Sequence, residues 1–179
     1  MSANLAKIRA FILKAATGKL YWVFLALLGL FMEAVALYYQ YGVGDEPCQL
    51  CIHIRIWVAA FTALALVMCV LPGGRWVNTA GHLLAVGCMV GLMERTKYLW
   101  DVERGLGEGS CEFFLGFPDW FALDRWFPAM FEVRNLCGFT PEMLFGLSMA
   151  QILMVVSPLL LIMAVFALVL TVRKGFFQG

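Results

Sequence analysis

The sequence predicts an all-α membrane protein, a four-transmembrane-helix bundle with a long outer loop that contains short interfacial helices. Composition is the first reason: the 179-residue chain is 63% hydrophobic and 14% charged, whereas soluble domains average about a quarter charged residues. The second is that the apolar residues fall into four blocks near the roughly 20 residues that cross a bilayer. These blocks lie at about 20–39, 52–71, 76–99 and 143–172. They lack the alternation of barrel strands, which leaves helices as the spanning elements.

Each block has features that fit a membrane span. The first contains a single charge, Glu33, and the second confines His53 and Arg55 to its first turn. The third is less apolar and contains His82. The fourth is longer than a span requires and contains Pro158, so a tilt, a kink or an interfacial start must absorb the excess. A signal peptide is the alternative for the first block, but the block is too long and no small-residue cleavage site follows it.

The distribution of charge predicts the orientation. Seven basic residues flank one side of the four blocks: Lys7, Arg9, Lys14, Lys19, Arg75, Arg173 and Lys174. On the other side, the first loop carries Asp45 and Glu46, and the segment 101–141 has three Arg against seven acids. The positive-inside rule therefore places both termini in the cytoplasm. The loops at about 40–51 and 100–142 face outward, and residues 1–179 form one integral membrane domain.

A C-x-x-C motif, Cys48-Gln49-Leu50-Cys51, leads into the second block. Cys51 falls in the first helical turn, where unpaired backbone N–H groups and the helix dipole favour the reactive thiolate. Arg55 follows four residues later, so it lies on the same helix face as Cys51. A cation at this depth is costly unless it has a partner, and a thiolate or a reducible carbonyl would supply one.

Other interpretations of this motif are weaker. A structural zinc site needs four ligands with a second close pair, which the sequence lacks, so no metal site is expected. Haem attachment needs a histidine directly after the motif, and Ile52 stands there. A purely structural disulfide stays open, and Arg55 by itself would be expected to extend its charged end to the membrane surface.

The other four cysteines divide into two kinds. Cys111 and Cys137 lie in the long outer loop, where they form either a stabilising bridge or a second redox pair. Cys69 and Cys88 fall within the second and third blocks and are interpreted as small packing residues. Disulfides persist outside the cytoplasm, which fits the predicted orientation.

The outer loop is unusually rich in aromatic residues, namely Phe113, Phe114, Phe117, Trp120, Phe121, Trp126, Phe127 and Phe131. Short helices in the membrane interface would bury them, and a partner-binding role for some stays open. Inside the membrane, Glu33 has a functional interpretation by default and is paired provisionally with Arg95. His82 is interpreted as a packing residue with satisfied hydrogen bonds. No basic aromatic patch suggests nucleic acid binding.

The motifs together resemble the DsbB disulfide-bond formation proteins. The resemblance rests on the run Glu46–Arg55 (EPCQLCIHIR), on Cys111 with FPDW at 117–120 and LDRWFP at 123–128, and on Cys137. It implies a thiol:quinone oxidoreductase of the bacterial inner membrane with its active cysteines on the periplasmic side. Such a protein reoxidises a DsbA-like periplasmic thiol oxidase and passes the electrons to ubiquinone or menaquinone.

By position, the resemblance assigns a role to each site residue. Cys111 forms the mixed disulfide with DsbA, and Cys137 is its partner in the loop pair. Cys48 exchanges with the loop pair, and Cys51 faces the quinone. Arg55 matches the quinone-side arginine of the family.

One departure and two rivals accompany this interpretation. The family often has an acidic or polar residue directly before that arginine, and this sequence has Ile54. Enzymes of the vitamin K epoxide reductase type also combine four helices with C-x-x-C, but their motif typically follows the loop cysteines. The non-enzymatic rival is a membrane scaffold whose four outward cysteines are structural bridges.

Overall fold

The computed structural model describes residues 17–106, 115–138, 140–143 and 146–177. Within these ranges the chain is mostly helical and has no strand, and four of its helices are long and apolar enough to cross a membrane. In chain order the helices are α1 (Lys19–Tyr38), α2 (Gln49–Val70), α3 (Arg75–Glu103), α4 (Leu123–Trp126), α5 (Pro128–Phe131) and α6 (Met149–Phe177). The all-α prediction with four candidate spans is confirmed.

The junction between α1 and α2 forms what we call the cysteine end of the bundle, and the other end is called the opposite end. A single π-helical turn, Tyr39–Val43, extends α1, and Gly44 closes it in the left-handed conformation. Helix α2 begins at Gln49, three residues before the predicted block, because Cys48 serves as its N-cap. The Cys48 sulfur accepts a hydrogen bond from the Cys51 backbone N–H, which satisfies one unpaired donor of the first turn.

Helix α6 begins at Met149, six residues after the start of the predicted block. Gly146 adopts a left-handed φ of 73°, and Met143 N–H donates to the Leu147 carbonyl at 2.8 Å, so a tight turn precedes the helix. Ser148 and Gln151 then form a capping box: Gln151 N–H donates to Ser148 Oγ, and Ser148 N–H donates to Gln151 Oε1. The helix therefore begins later than predicted, and it also ends later, at Phe177, five residues beyond the predicted block. Its 29 residues mean that nearly all of the predicted excess length is helical.

The long helices pack in sequence, α1 on α2, α2 on α3 and α3 on α6. Close helix approach depends on glycine, as two of the contacts show. A Cβ on Gly29 of α1 would lie 1.9 Å from Thr62 Oγ1 of α2, and one on Gly91 of α3 would lie 2.4 Å from the Trp57 ring. Small residues of this kind let helices associate closely in lipid, where no hydrophobic effect drives them together.

The described part of the outer loop packs onto the start of α2. Leu115, Phe131 and Val133 form a small core with the fully buried Ile52. The loop contains the predicted short helices, a 3-10 turn at Asp119–Phe121 followed by α4 and α5. Their interfacial placement stays a prediction, and Phe113 and Phe114 lie outside the described residues.

At the opposite end, His82 of α3 is completely buried and stacks on Trp22 of α1, with ring centroids 4.7 Å apart. Tyr21 contacts the same ring at 4.9 Å. Neither imidazole nitrogen has a hydrogen-bond partner in the described ranges. The expectation that His82 is a packing residue with satisfied hydrogen bonds is therefore wrong in its second half, because aromatic packing holds this ring.

Candidate functional site

The C-x-x-C motif is an intact disulfide at the start of α2. Cys48 and Cys51 are bonded to each other, with their Cα atoms 5.1 Å apart. Cys48 is buried in the hydrophobic core between the four long helices, which we call the main core, whereas Cys51 is half-buried. The two cysteines thus differ in exposure, and Cys51 is the more exposed residue.

A cavity of about 210 Å³ lies beside this disulfide, between α1, α2 and α6. Cys51 and Arg55 line it from α2, and Asp45 lines it from the loop that joins α1 to α2. Its walls are otherwise mainly apolar and include Leu28, Met32, Val35, Ile54, Val58, Leu153 and Val156. Such a pocket, apolar with a few convergent polar groups, is the usual form of a small-molecule site.

Arg55 is a polar side chain of the cavity that makes several hydrogen bonds, and it is only 7% exposed. Its guanidinium donates to Gln40 Oε1 at 2.5 Å, to the Ala36 carbonyl at 3.0 Å and to the Met130 carbonyl at 3.3 Å. A guanidinium has five N–H donors, so two remain without a partner among the described residues. These bonds fix the cation beside the cavity and leave it capacity for a further oxygen.

Glu33 lines the cavity from α1. Its provisional pairing with Arg95 is wrong, because Arg95 lies against Glu94 at 3.7 Å and the positive charge that acts most on Glu33 is Arg55. Both Glu33 carboxyl oxygens are buried without a hydrogen-bond partner in the part of the chain that the structure describes. Among the described residues, hydrogen bonds therefore hold the Arg55 cation in place, whereas none holds the Glu33 carboxyl.

Asp45 is a second acid on the cavity wall. Burial raises the pKa of the Asp45 carboxyl above its usual range, and the Arg55 guanidinium opposes part of that rise. Asp45 thus keeps its proton to a higher pH than a solvated aspartate does.

Two contacts attach the loop segments to the motif. The backbone N–H groups of Arg134 and Asn135 donate to the Pro47 carbonyl at 3.0 and 3.3 Å, directly before Cys48. The ring nitrogen Nε2 of His53 lies 2.9 Å from the Leu115 carbonyl. Leu115 and the segment 134–135 of the outer loop therefore both lie against residues at the start of α2.

The remaining cysteines are placed as follows. Cys137, two residues after the segment bonded to Pro47, takes part in a disulfide and packs against the main core. Cys111 lies outside the described residues. Cys69 and Cys88 are free, half-buried thiols on α2 and α3 that pack on the core away from the cavity.

Gln40 and Asp45 were not identified from the sequence as site residues. Gln40 stands seven residues after Glu33, which is two helical turns on the same face, and a polar residue repeated at that spacing in an apolar block was a usable signal. Asp45 gave no such signal, because an acidic residue in a loop is common on any protein surface.

Comparison with known proteins agrees with this geometry. The sequence profile described as "Disulfide bond formation protein DsbB" matches residues 18–167. The chain belongs to the DsbB family. As a member of that family it is a thiol oxidoreductase of disulfide bond formation, and a cysteine pair at the start of a candidate membrane helix fits that chemistry.

Individual relatives span most of the chain. Disulfide bond formation protein B 2 of Pseudomonas aeruginosa is 36% identical over 144 residues, which cover 78% of this chain and 83% of the relative. Disulfide bond formation protein B of Vibrio parahaemolyticus is 32% identical over 144 residues, covering 78% and 79%. The protein of the same name from Mannheimia succiniciproducens is 27% identical over 159 residues, covering 88% and 89%.

Proposed function

We propose that this DsbB family member reoxidises a periplasmic DsbA-type dithiol and passes the two electrons to a membrane quinone. One observation carries the proposal: Cys51, the more exposed cysteine of the C-x-x-C disulfide, and the Arg55 cation line the same apolar cavity. A route from thiols to a lipid-soluble acceptor requires this combination of sulfur, charge and apolar wall.

The residues of the cavity suit a quinone. Its apolar walls fit a flat ring that arrives from lipid, and the two Arg55 N–H donors without a described partner suit a carbonyl oxygen. A bound quinone would accept two electrons and two protons. DsbA is itself a strong oxidant at about −120 mV, so its reoxidation needs a more positive acceptor, and ubiquinone and menaquinone are the two candidates.

The cysteines divide the work by their surroundings. In the reduced pair, the helix N-terminus and Arg55 favour Cys51 as the thiolate, so Cys51 is the sulfur that delivers electrons into the cavity. Arg55 stabilises negative charge that develops on the acceptor oxygen. Cys48, buried one turn away, then closes the disulfide with Cys51.

The loop pair connects this disulfide to DsbA. We assign Cys111 to the mixed disulfide with DsbA and Cys137 to its partner in the loop. The hydrogen bonds from Arg134 and Asn135 to Pro47 support this relay, because they hold the chain near Cys137 against the residue that precedes Cys48. Exchange proceeds by thiolate attack, so the sulfurs must be able to meet.

We further infer a single integral membrane domain in the bacterial inner membrane, with both termini cytoplasmic and the active cysteines periplasmic. The asymmetry of basic residues supports this orientation. A membrane-impermeant thiol reagent added to intact spheroplasts after reduction should label Cys51, the more exposed cysteine of the motif, but not Cys69. Labelling of a cysteine introduced near the N-terminus would contradict the orientation.

The activity is tested with purified protein in detergent, given reduced DsbA and a soluble quinone. The quinone absorbance should bleach in proportion to the DsbA thiols oxidised, and a Cys69→Ser, Cys88→Ser double variant should behave as wild type. Unchanged quinone absorbance with intact thiols would favour the scaffold alternative. Mass spectrometry of the co-purified quinone decides between ubiquinone and menaquinone.

A further inference from the structure

The proposed electron route leaves one buried titratable group of the cavity unused. Glu33 lines the cavity together with Cys51 and Arg55, and it is only 9% exposed. Both of its carboxyl oxygens are buried, and neither has a hydrogen-bond partner within the described ranges. Burying an acid at membrane depth costs free energy, and no hydrogen bond among the described residues offsets that cost for Glu33.

The groups around Glu33 define its electrostatic setting. Arg55 faces the cavity from α2, and Asp45 faces it from the loop between α1 and α2. Helix α3 contributes Leu99, and α6 contributes only apolar side chains, namely Met149, Ile152, Leu153 and Val156. Arg55 acts on Glu33 through space, but no ion pair within 4 Å joins them in the described chain. The Glu33 carboxyl therefore lies in the electrostatic field of Arg55 but forms no ion pair with it among the described residues.

We propose that Glu33 is the proton donor of the reaction in this cavity, giving its proton to an oxygen of the bound quinone. The inference rests on the proposed quinone reduction. A general acid must lie beside the reacting atom and be free to release its proton. Glu33 meets the second condition because its oxygens have no described hydrogen-bond partner, and its position on the cavity wall suits the first.

The step balances in electrons and protons. The reduced pair, with Cys48 as thiol and Cys51 as thiolate, loses two electrons to the quinone and forms the S–S bond. Of the two protons the quinol requires, Cys48 supplies one and Glu33 the other, and the negative charge passes from the Cys51 sulfur to the Glu33 carboxylate. Glu33 then recovers a proton from water at the cysteine end, equal to the one lost when Cys51 ionised.

Replacing the acid with its amide tests the proposal, because Glu33→Gln preserves size and polarity but cannot donate this proton. We expect single-turnover quinone reduction to slow by at least about a hundredfold, the lower end of what a general acid contributes, with little change in quinone affinity. Glu33→Asp should restore part of the rate. The matched control is Glu94→Gln, which removes an exposed acid of α3 outside the cavity and should leave the rate unchanged.

A second measurement does not depend on turnover. The infrared spectrum of the quinone-free protein should contain a protonated carboxyl C=O band that exchanges in D₂O and disappears in Glu33→Gln. Slow reduction together with loss of this band supports the proposal. A Glu33→Gln rate equal to wild type, or slow reduction with the band retained, overturns it. Should wild type itself fail to reduce quinone, the proposed function fails instead, so the two failures are distinct.

Discussion

At the cysteine end of the bundle, Arg55 is buried with three oxygen partners, whereas at the opposite end His82 is buried with none among the described residues. The difference follows from charge. A guanidinium cannot lose its proton inside a protein, so its burial requires acceptors. An imidazole can stay neutral and be held by aromatic packing on Trp22 and Tyr21. The permanently charged end is the one that contains the disulfide and the cavity.

The two buried polar side chains also differ in how many parts of the chain they connect. The acceptors of Arg55 come from three separate segments: α1, the π-helical turn and α5. The cation therefore joins the first helix, the second helix and the outer loop at one point. The stack at the opposite end joins α1 and α3 only. Substitutions at the two ends should therefore differ in how strongly they affect stability and in whether they affect activity.

The largest expected effect is at the disulfide itself. Cys51→Ser should abolish quinone-dependent oxidation of DsbA, because a serine hydroxyl can neither form the disulfide nor deliver two electrons. Stopped-flow measurement of quinone bleaching checks this. Cys88→Ser, a free thiol away from the cavity, is the matched control and should match wild type. Residual turnover in Cys51→Ser would mean that another sulfur faces the acceptor.

Arg55→His should mainly weaken quinone affinity. A hydrogen bond to a charged group contributes about 1.5–3 kcal/mol, so we expect the KM for quinone to rise about ten- to a hundredfold, with a smaller change in kcat. Steady-state kinetics over a range of quinone concentrations measure the two separately. Arg95→His, which changes a partly exposed arginine of α3, controls for loss of charge. Unchanged quinone kinetics in Arg55→His would remove this residue from the site.

A pair of leucine substitutions compares the two ends directly. Gln40→Leu removes an acceptor of Arg55 and should cost about 1–3 kcal/mol, the penalty for an unsatisfied buried donor, which lowers Tm by several degrees for a chain of this size. His82→Leu removes a polar ring that has no described hydrogen bond to lose, so its cost is limited to lost packing and activity should be retained. Thermal unfolding in one detergent measures both. If Gln40→Leu and His82→Leu lowered Tm equally and both abolished activity, the proposed difference between the two ends of the bundle would be wrong.

The smallest effect concerns Asp45. Because burial raises its pKa in the folded protein, the proton on Asp45 stabilises the fold below about pH 4, the ordinary aspartate value, and this contribution is lost as pH rises through the folded pKa. Asp45→Asn should therefore match wild type in Tm at low pH and exceed it slightly near neutrality. A Tm difference that stays constant from acid to neutral pH would show that Asp45 does not titrate as proposed.

Several features of the fold were predictable because they depend on local composition. The four apolar blocks gave the four long helices, and the C-x-x-C motif lay at a helix start as predicted. The start of α6 was misjudged because apolar composition was followed through Gly146. The Ser148-Met-Ala-Gln151 capping signature was available in the sequence and would have corrected it.

The bonding within the candidate site was less predictable, since it depends on residues distant in sequence. Arg55 was identified from the sequence, but its hydrogen-bond acceptors were not. They are the Gln40 side chain and the Ala36 and Met130 carbonyls. No local sequence pattern predicts a bond to a backbone carbonyl 75 residues away. Glu33 was recognised as unusual and assigned the wrong cation, because both Arg55 and Arg95 were available in the sequence. Charge alone does not say which helix faces which.

By itself the sequence indicated that the chain is a membrane protein, how many of its helices can span the bilayer and which residues can carry redox chemistry. These features were predictable because hydropathy, helix length and thiol chemistry are properties of short segments. Only the tertiary structure decided that α1, α2 and α6 line a common cavity, that Cys51, Arg55 and Glu33 share it, and that the Glu33 carboxyl has no hydrogen bond among the described residues. The physical reason is that a cavity and its unpaired groups arise from how helices pack, and helix packing is set by side chains that come from every part of the chain.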